Sequence, residues 1–160
     1  MPASNKIKYI VVHTSDSKWG DVGVIRQWHT DKPPKGRGWS DIGYHFVITN
    51  GYDTYNALVT KKRSSSDGIV APGRPLDQDG AHCVGFNQNS ICICLGGAAG
   101  NYTEKQILSL ERFCINMMKT YNIPVVNVIG HYETKNGQSQ GKTCPDIDMK
   151  AWRNRLAKIK

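Results

Sequence analysis

Residues 8–14 read KYIVVHT, a run of β-branched and aromatic residues that ends close to a histidine. Such a run predicts a buried β-strand, because branched side chains pack well on a pleated surface. Residues 43–49, 90–95 and 125–129 have the same character and predict three further strands. The first strand places His13 near its carboxyl end, which makes this side chain the first functional candidate.

Helical periodicity separates the predicted strands. Residues 22–30 carry apolar side chains at helical spacing, and Thr103 followed by Gln106 forms a capping box that begins the longest predicted helix. Residues 148–159 predict a short closing helix. Strands that alternate with helices predict an α/β fold: a single domain with a central mixed β-sheet of about five strands, flanked by about three helices.

Composition excludes several classes of protein. With 160 residues, 39% hydrophobic and 21% charged, the chain is typical of a globular domain and not of a disordered one. No apolar run approaches the roughly 20 residues of a membrane helix, so we expect no membrane insertion. The apolar run at residues 9–12 is also shorter than the ~7–15-residue core of a secretory signal, so we expect no signal peptide.

The net charge is strongly positive. Lys and Arg number 21 against 13 Asp and Glu, which gives +8. This charge favours attraction to polyanions such as nucleic acid, anionic membrane surfaces or the acidic polymers of a bacterial envelope. The densest cluster is at residues 61–63, and charge alone does not choose among these partners.

The five cysteines are an odd number without the spacing of a disulfide framework, so we expect reduced thiols. Cys92 and Cys94 alternate within a predicted strand, and Cys114 lies on the apolar face of a predicted helix. These three are predicted to be small buried residues. Cys144 differs because it lies in a polar loop.

Three side chains have the chemistry of a zinc site. His13 ends one predicted strand, His131 follows another, and Cys144 lies 13 residues further on in a loop that can return to the same edge. Sites in open α/β sheets form at the carboxyl ends of strands. Two imidazoles and a thiolate suit zinc and leave a fourth position for water. The spacing alone is equally compatible with three unrelated residues.

Further polar residues accompany this trio. Lys142 can stabilise an oxyanion or be an ordinary loop lysine, and Tyr44 can hydrogen-bond a metal-associated water or be a half-buried strand tyrosine. Glu133 can orient a metal ligand as a second-shell residue or cap the turn after His131.

The other histidines receive separate interpretations. His45 is adjacent to Tyr44 on a strand and therefore points to the opposite face, where a buried, hydrogen-bonded histidine is expected. His29, late in a helix, is expected at the surface or in a position favoured by the helix dipole. His82 lies in a turn, where functional residues are common, and its role stays open.

Eight short motifs in one order carry a family resemblance over about residues 9–152. The motifs are VHT (12–14), IRQWH (25–29), GYHF (43–46), GAH (80–82), GFN (85–87), SI (90–91), GHYE (130–133) and KTCP (142–145). Each is weak alone, but the ordered set resembles the zinc-dependent N-acetylmuramoyl-L-alanine amidases of type 2. Within that family the chain looks most like the small T-odd phage lysozymes, which are relatives of the peptidoglycan recognition proteins.

The resemblance implies a role for individual residues. It implies that His13, His131 and Cys144 bind Zn²⁺ and that Tyr44 and Lys142 are the catalytic pair. It also implies that His82 lines the substrate cleft. The implied reaction is hydrolysis of the amide bond between N-acetylmuramic acid and L-alanine in peptidoglycan.

One segment departs from the compact family pattern. This chain has an insertion at residues 52–66, where the compact members of the family pass quickly to the next motif. The insertion predicts an extended hairpin or surface loop near the rim of the cleft. Two roles stay open for this insertion: it grips acidic envelope polymers, or it is merely solvated.

The main functional hypothesis is a phage endolysin that consists of one catalytic domain, residues 1–160. It would accumulate in the cytoplasm of the infected host and reach periplasmic peptidoglycan after a holin opens the inner membrane. We expect a monomer that does not bind nucleic acid, since structural zinc sites in such binders have four closely spaced ligands. A bacterial wall-remodelling or recycling amidase would have the same site, whereas a non-catalytic peptidoglycan-binding module typically lacks a zinc ligand.

Overall fold

The computed structural model describes residues 6–159. Within that range five strands form a single sheet: β1 (Tyr9–Thr14), β2 (Phe46–Ile48), β3 (Val70–Pro72), β4 (Ser90–Leu95) and β5 (Val128–Gly130). The order across the sheet is β3-β2-β4-β1-β5. β1 lies parallel to both β4 and β5, β2 lies parallel to β4, and β3 runs antiparallel to β2. The predicted mixed five-stranded sheet is confirmed.

The same described range holds five α-helices: α1 (Val22–Thr30), α2 (Tyr55–Val59), α3 (Glu104–Tyr121), α4 (Lys135–Ser139) and α5 (Met149–Ala157). The three predicted helices correspond to α1, α3 and α5. The estimate of about three was low because α2 and α4, with five residues each, are too short to show a helical period. Among the described helices, none is long and apolar enough to cross a membrane.

The two faces of the sheet bury different groups. One face carries the main core, in which Ile10 and Val12 of β1 and Ile91, Ile93 and Leu95 of β4 pack with α3 and α5. The other face packs against α1 through Ile25, Val47 and Cys94. Because side chains alternate along a strand, His13 points to the α1 face.

The start of α3 is tied to the sheet by a buried glutamine. The predicted capping box is present: the Thr103 hydroxyl accepts from the Gln106 N–H, and Gln106 Oε1 accepts from the Thr103 N–H. Gln106 Nε2 also donates to the carbonyls of Ile48, at 3.0 Å, and Gly96, at 2.7 Å. These bonds engage the last carbonyl of β2 and the first carbonyl after β4, and they fix the helix over the core.

The insertion at residues 52–66 is not a hairpin. It contains α2, which begins after the Thr54 cap, and then turns back along exposed serines. Tyr55 is 59% exposed and its ring contacts Trp19. The surface placement was predicted correctly, but the hairpin was wrong because a Thr N-cap favours a helical turn here.

The cysteines follow their predicted environments. Cys92, Cys94 and Cys114 are fully buried, and all five cysteines are free thiols. Burial raises the pKa of Cys94 well above its ordinary value, and burial also raises that of Cys114 to about 12. These thiols therefore act as small apolar groups.

Candidate metal centre and cleft

A cavity of about 920 Å³ opens on the α1 face of the sheet. Its walls come from the end of β1, the connection between α1 and β2, the turn at residues 81–87 and the segment at residues 136–146. β1 and β5 are paired, with Val12 opposite Gly130, so the residues that follow both strands meet at one edge. The predicted convergence of two strand ends is therefore present.

Three possible metal donors meet in this cavity. Cys144 Sγ lies 3.9 Å from His13 Nδ1 and 3.8 Å from His131 Nδ1, and all three donor atoms lie within 4.8 Å of one another. Tetrahedral zinc, with bonds of ~2.0–2.1 Å to nitrogen and ~2.3 Å to sulfur, would separate such donors by about 3.6 Å. The donor set fits zinc in both type and spacing, and three protein ligands is the number typical of catalytic zinc sites.

Each donor is held by a second contact. These contacts join His13 Nε2 to His82 Nδ1 at 2.8 Å, His131 Nε2 to Asn136 Oδ1 at 3.4 Å, and the Thr14 N–H to Cys144 Sγ at 3.4 Å. Because the outer nitrogens of both imidazoles are engaged, their Nδ1 atoms are the ones available to a metal.

The histidines at the centre are neutral. Burial lowers the pKa of His13 well below its ordinary value of 6.5, and the neighbouring His82 and His131 lower it further. Burial also lowers the pKa of His131, despite the opposing effect of its hydrogen bond to Asn136 Oδ1. Neutral imidazole is the form that binds metal, so both rings are ready to bind at neutral pH.

The Cys144 thiol, unlike the two imidazoles, must lose a proton before it can bind a metal. Burial raises its pKa to about 11, and the hydrogen bond from the Thr14 N–H offsets only part of this effect. The thiol is therefore protonated at neutral pH in the metal-free protein. A metal binds thiolate, so binding must release this proton.

The predicted catalytic pair lines the same cavity. The Tyr44 ring lies 5.2 Å from the His13 ring, measured between centroids. Burial raises the pKa of Tyr44 well above 10, so the phenol keeps its proton and can donate a hydrogen bond. Lys142 is exposed on the segment at residues 136–146, and its charge contributes to the lowered pKa of His131.

Glu133 lies on the turn that carries His131 and does not contact the imidazole among the hydrogen bonds of the described residues. Its carboxylate accepts from the Gly130 N–H at 3.0 Å and forms two hydrogen bonds with Arg153, at 2.8 and 2.9 Å. Glu133 therefore caps the turn that contains His131, and its role as a second-shell residue of the metal site stays a prediction. Glu133 positions the backbone before His131 because it closes the 3-10 turn His131–Glu133.

Sequence reasoning placed His29 at the surface or in a position favoured by the helix dipole, and the residue does lie in the last turn of α1, but it is half-buried. Its Nδ1 accepts from the Gly43 N–H at 3.0 Å, and its ring lies between those of Trp39 and Tyr44, at 4.9 and 5.4 Å. Burial lowers its pKa to about 4, with a further contribution from Arg37. The helical period of α1 gives no signal for this contact, because the partner comes from a later loop.

Two other expectations concern His45 and the insertion. His45 is buried, with Nε2 2.9 Å from the Gln78 carbonyl and Nδ1 accepting from the Cys92 N–H, so the predicted hydrogen-bonded core histidine is confirmed. Residues 52–66 contribute nothing to the lining of the described cavity. Their predicted place near the rim of the cleft stays a prediction.

Comparison with known proteins gives consistent results. The profile of the family described as N-acetylmuramoyl-L-alanine amidase matches residues 3–147. The endolysin of Escherichia phage T7 is 35% identical over 153 residues, which cover 89% of this chain and 83% of the relative. The endolysin of Klebsiella phage KP32 is 33% identical with the same coverage. The solved structure of the N-acetylmuramoyl-L-alanine amidase LysC from Clostridium intestinale shares the fold, with a TM-score of 0.72, 24% identity and coverage of 97% of this chain and 89% of LysC.

Proposed function

Since the chain belongs to the N-acetylmuramoyl-L-alanine amidase family, we propose that it cleaves its substrate with a zinc ion held by His13, His131 and Cys144. The chain is an amidase of the endolysin type and acts on bacterial peptidoglycan. The bond it hydrolyses joins N-acetylmuramic acid to L-alanine, and its hydrolysis degrades the cell wall. The observation that carries the zinc proposal is the approach of two imidazole nitrogens and one sulfur within a single cleft.

Zinc, when bound, supplies a Lewis acid and lowers the pKa of water from 15.7 to about 7. The residues of this chain supply the remaining functions. We assign Tyr44 to orient the attacking water, because its protonated phenol lies beside the His13 ring. We assign Lys142, which lines the same cleft, to stabilise with its positive charge the oxyanion formed from the amide carbonyl.

Two observations argue against a non-catalytic binding module. The three donors have the spacing of a metal site, and Tyr44 and Lys142 line the cleft that contains them. A module that only binds its ligand needs neither feature. The endolysin relatives over most of the chain likewise favour the endolysin over a bacterial remodelling amidase.

The biological setting is also a proposal. The endolysin relatives support a role at the end of infection, in which the protein leaves the host cytoplasm through a holin-dependent lesion and reaches the periplasmic peptidoglycan. We propose that it acts there as a monomer, with peptidoglycan as its macromolecular partner and without binding nucleic acid. Size-exclusion chromatography with light scattering tests the monomer, and a gel-shift assay tests nucleic-acid binding.

The deciding experiment is muropeptide analysis. Purified peptidoglycan is digested with the untreated protein, with chelator-treated protein and with chelator-treated protein restored by zinc, and the products are identified by mass spectrometry. We expect free stem peptides that begin with L-alanine, lost with the chelator and regained with zinc. Intact muropeptides in every sample would contradict the amidase, whereas stem peptides that persist without metal would contradict the zinc proposal.

A further inference from the structure

A chain of hydrogen bonds behind His13 supports an inference that rests on the proposed zinc site. His13 Nε2 lies 2.8 Å from His82 Nδ1, and His82 Nε2 lies 3.0 Å from Ser90 Oγ. The Ser90 hydroxyl in turn donates to the Phe86 carbonyl at 2.6 Å. The chain thus connects a backbone carbonyl to one ring nitrogen of a candidate metal ligand.

The Phe86 carbonyl, at the far end of this series of hydrogen bonds, determines which group is the donor and which the acceptor in each of them. A carbonyl only accepts, so the single hydroxyl proton of Ser90 points to Phe86. Ser90 Oγ must then accept from His82 Nε2–H. A neutral His82 with its proton on Nε2 has a bare Nδ1, which must accept from His13 Nε2–H. His13 consequently carries its lone pair on Nδ1, the nitrogen that faces Cys144 Sγ.

We propose that His82 and Ser90 are positioning residues that hold the His13 imidazole in its metal-binding tautomer and fix the plane of its ring. Second contacts of this kind orient metal ligands in many proteins, and their loss typically costs about 10–100-fold in metal affinity or activity. Here the contact is a neutral imidazole that is itself held by a serine, in place of a carboxylate.

The surroundings of His82 are built to keep this geometry. Asn87 Oδ1 accepts from the backbone N–H groups of both His82 and Cys83, at 2.9 Å each. A Cβ at Gly80 would lie only 2.6 Å from His82 Cδ2, so glycine is required beside the ring. Ser90 is 1% exposed, and water therefore has little access to replace its hydroxyl as the partner of His82.

This assignment differs from the substrate contact that the family resemblance implies for His82. The ring lines the cleft, but both of its nitrogens are engaged within the protein. No ring nitrogen is left to hydrogen-bond a substrate while the chain is intact. His82 therefore acts on the metal centre through His13.

Zinc affinity distinguishes the two roles. Competition with a chromophoric chelator measures Zn²⁺ binding by the full-length wild type and by His82→Ala, Ser90→Ala and His82→Asn. We expect His82→Ala to bind Zn²⁺ about 10–100-fold more weakly and Ser90→Ala to shift in the same direction. His82→Asn should recover most of the loss, because its Oδ1 replaces Nδ1 as the acceptor for His13. Ser109→Ala, which also loses a hydroxyl-to-carbonyl hydrogen bond but lies on α3, is the matched control.

A second readout needs no metal and no activity. Nitrogen NMR of the metal-free protein reports which nitrogen of His13 carries the proton, and thermal melting establishes that each variant is folded. We expect Nε2–H in the wild type and a mixture of tautomers in Ser90→Ala. Unchanged Zn²⁺ affinity in His82→Ala and Ser90→Ala, or a wild-type His13 protonated on Nδ1, would overturn the proposal. If the wild type releases stem peptides, the proposed function stands even where one of these two results overturns the positioning role. If the wild type binds Zn²⁺ but does not cleave the amide, the proposed function is contradicted and the positioning role stands.

Discussion

Cys144 is the residue whose protonation state must change when the site fills. Its thiol pKa is raised to about 11 by burial, while the pKa values of His13 and His131 are lowered below 6.5. Between pH 6.5 and 8 the thiol is therefore the group among these three that has a proton to lose. In the proposed zinc site, metal binding and proton release would therefore be coupled through this single side chain.

We predict that the Kd for Zn²⁺ falls about tenfold for each unit of increase in pH over this range, because one proton leaves for each metal bound. Chelator competition at several pH values measures the slope. Cys144→Asp is the matched variant, since a carboxylate is already ionised and should give a nearly flat profile. A flat profile in the wild type would mean that the thiolate exists before the metal arrives.

The catalytic role assigned to Tyr44 can be tested by a substitution that removes a single oxygen atom. Tyr44→Phe keeps the ring, which contacts the rings of His29 and His13, and removes only the hydroxyl group. We predict a fall in kcat of about 10²–10⁴-fold, the usual contribution of a positioned proton donor or acceptor. KM, Zn²⁺ affinity and the melting temperature should change little.

Tyr55→Phe is the control for this substitution, because Tyr55 is exposed and lies outside the lining of the cleft. Its activity should equal that of the wild type. Full activity in Tyr44→Phe would remove the phenol from the mechanism and leave Tyr44 as a packing residue.

At the scale of elements, the ion pair between Glu133 and Arg153 fastens the turn that carries His131 to α5. Burial by itself would raise the pKa of Glu133, but the hydrogen bonds from Arg153 and the Gly130 N–H and the charge of Arg153 outweigh it, so the pKa is lowered below 4.5. A carboxyl with a lowered pKa contributes stability above its unfolded pKa and loses it as the pH falls through the folded pKa.

We predict that Glu133→Gln lowers the free energy of unfolding at pH 7 by about 1–2 kcal/mol, a value limited by the partial exposure of the pair. The difference from the wild type should shrink as the pH falls below 4.5. Urea unfolding at pH 7 and near pH 3.5 measures both quantities. Asp79→Asn, which breaks the exposed pair with Lys6, should cost less than about 1 kcal/mol. An equal loss in both variants would show that the Glu133 pair contributes no more than a surface ion pair.

The elements that sequence reasoning found are those with a strong local signal. The Thr103–Gln106 capping box marked the start of α3, and the bounds of α1 and β4 were predicted correctly. The strand β3 was missed, because it has three residues, ends in proline and exists only through pairing with β2. Residues 125–129 were predicted as one strand, but a 3-10 turn that begins directly after Pro124 occupies Val125–Asn127. The strand β5 therefore begins only at Val128.

The residues of the candidate site also divide into those with a signal in the sequence and those without one. His13, His131 and Cys144 were accessible to sequence reasoning because strand ends and an ordered set of motifs pointed to them. The contacts of His29 with Gly43 and of His82 with Ser90 join separate segments, so no local period reveals them. The candidate metal ligands were therefore predictable, whereas the groups that hold and orient them required the tertiary structure.

For the whole molecule, the positive charge lies mostly away from the chemistry. The cavity is lined by cationic Arg37 and Lys142 but also by acidic Asp16 and Asp146, so the charges at the cleft are balanced. The basic cluster at residues 61–63 lies outside that lining. We therefore expect the net charge of +8 to attract the protein to anionic wall polymers and to have little influence on the scissile amide.

This separation predicts that salt affects binding to the wall and not the chemical step. Raising NaCl from about 0.05 M to 0.5 M shortens the screening length severalfold, so hydrolysis of intact, polymer-bearing walls should slow, while hydrolysis of a small uncharged muramoyl-peptide analogue should change little. The variant Lys61→Gln/Lys62→Gln lowers the number of basic residues from 21 to 19 and should reduce the salt dependence on walls. The control Lys150→Gln/Lys158→Gln makes the same change in charge on and beside α5. If the substitutions at residues 61 and 62 reduce the salt dependence more than the control does, the insertion takes part in wall binding. Equal reductions would mean that net charge alone matters. A wild type whose activity on walls does not depend on salt would contradict electrostatic attraction altogether.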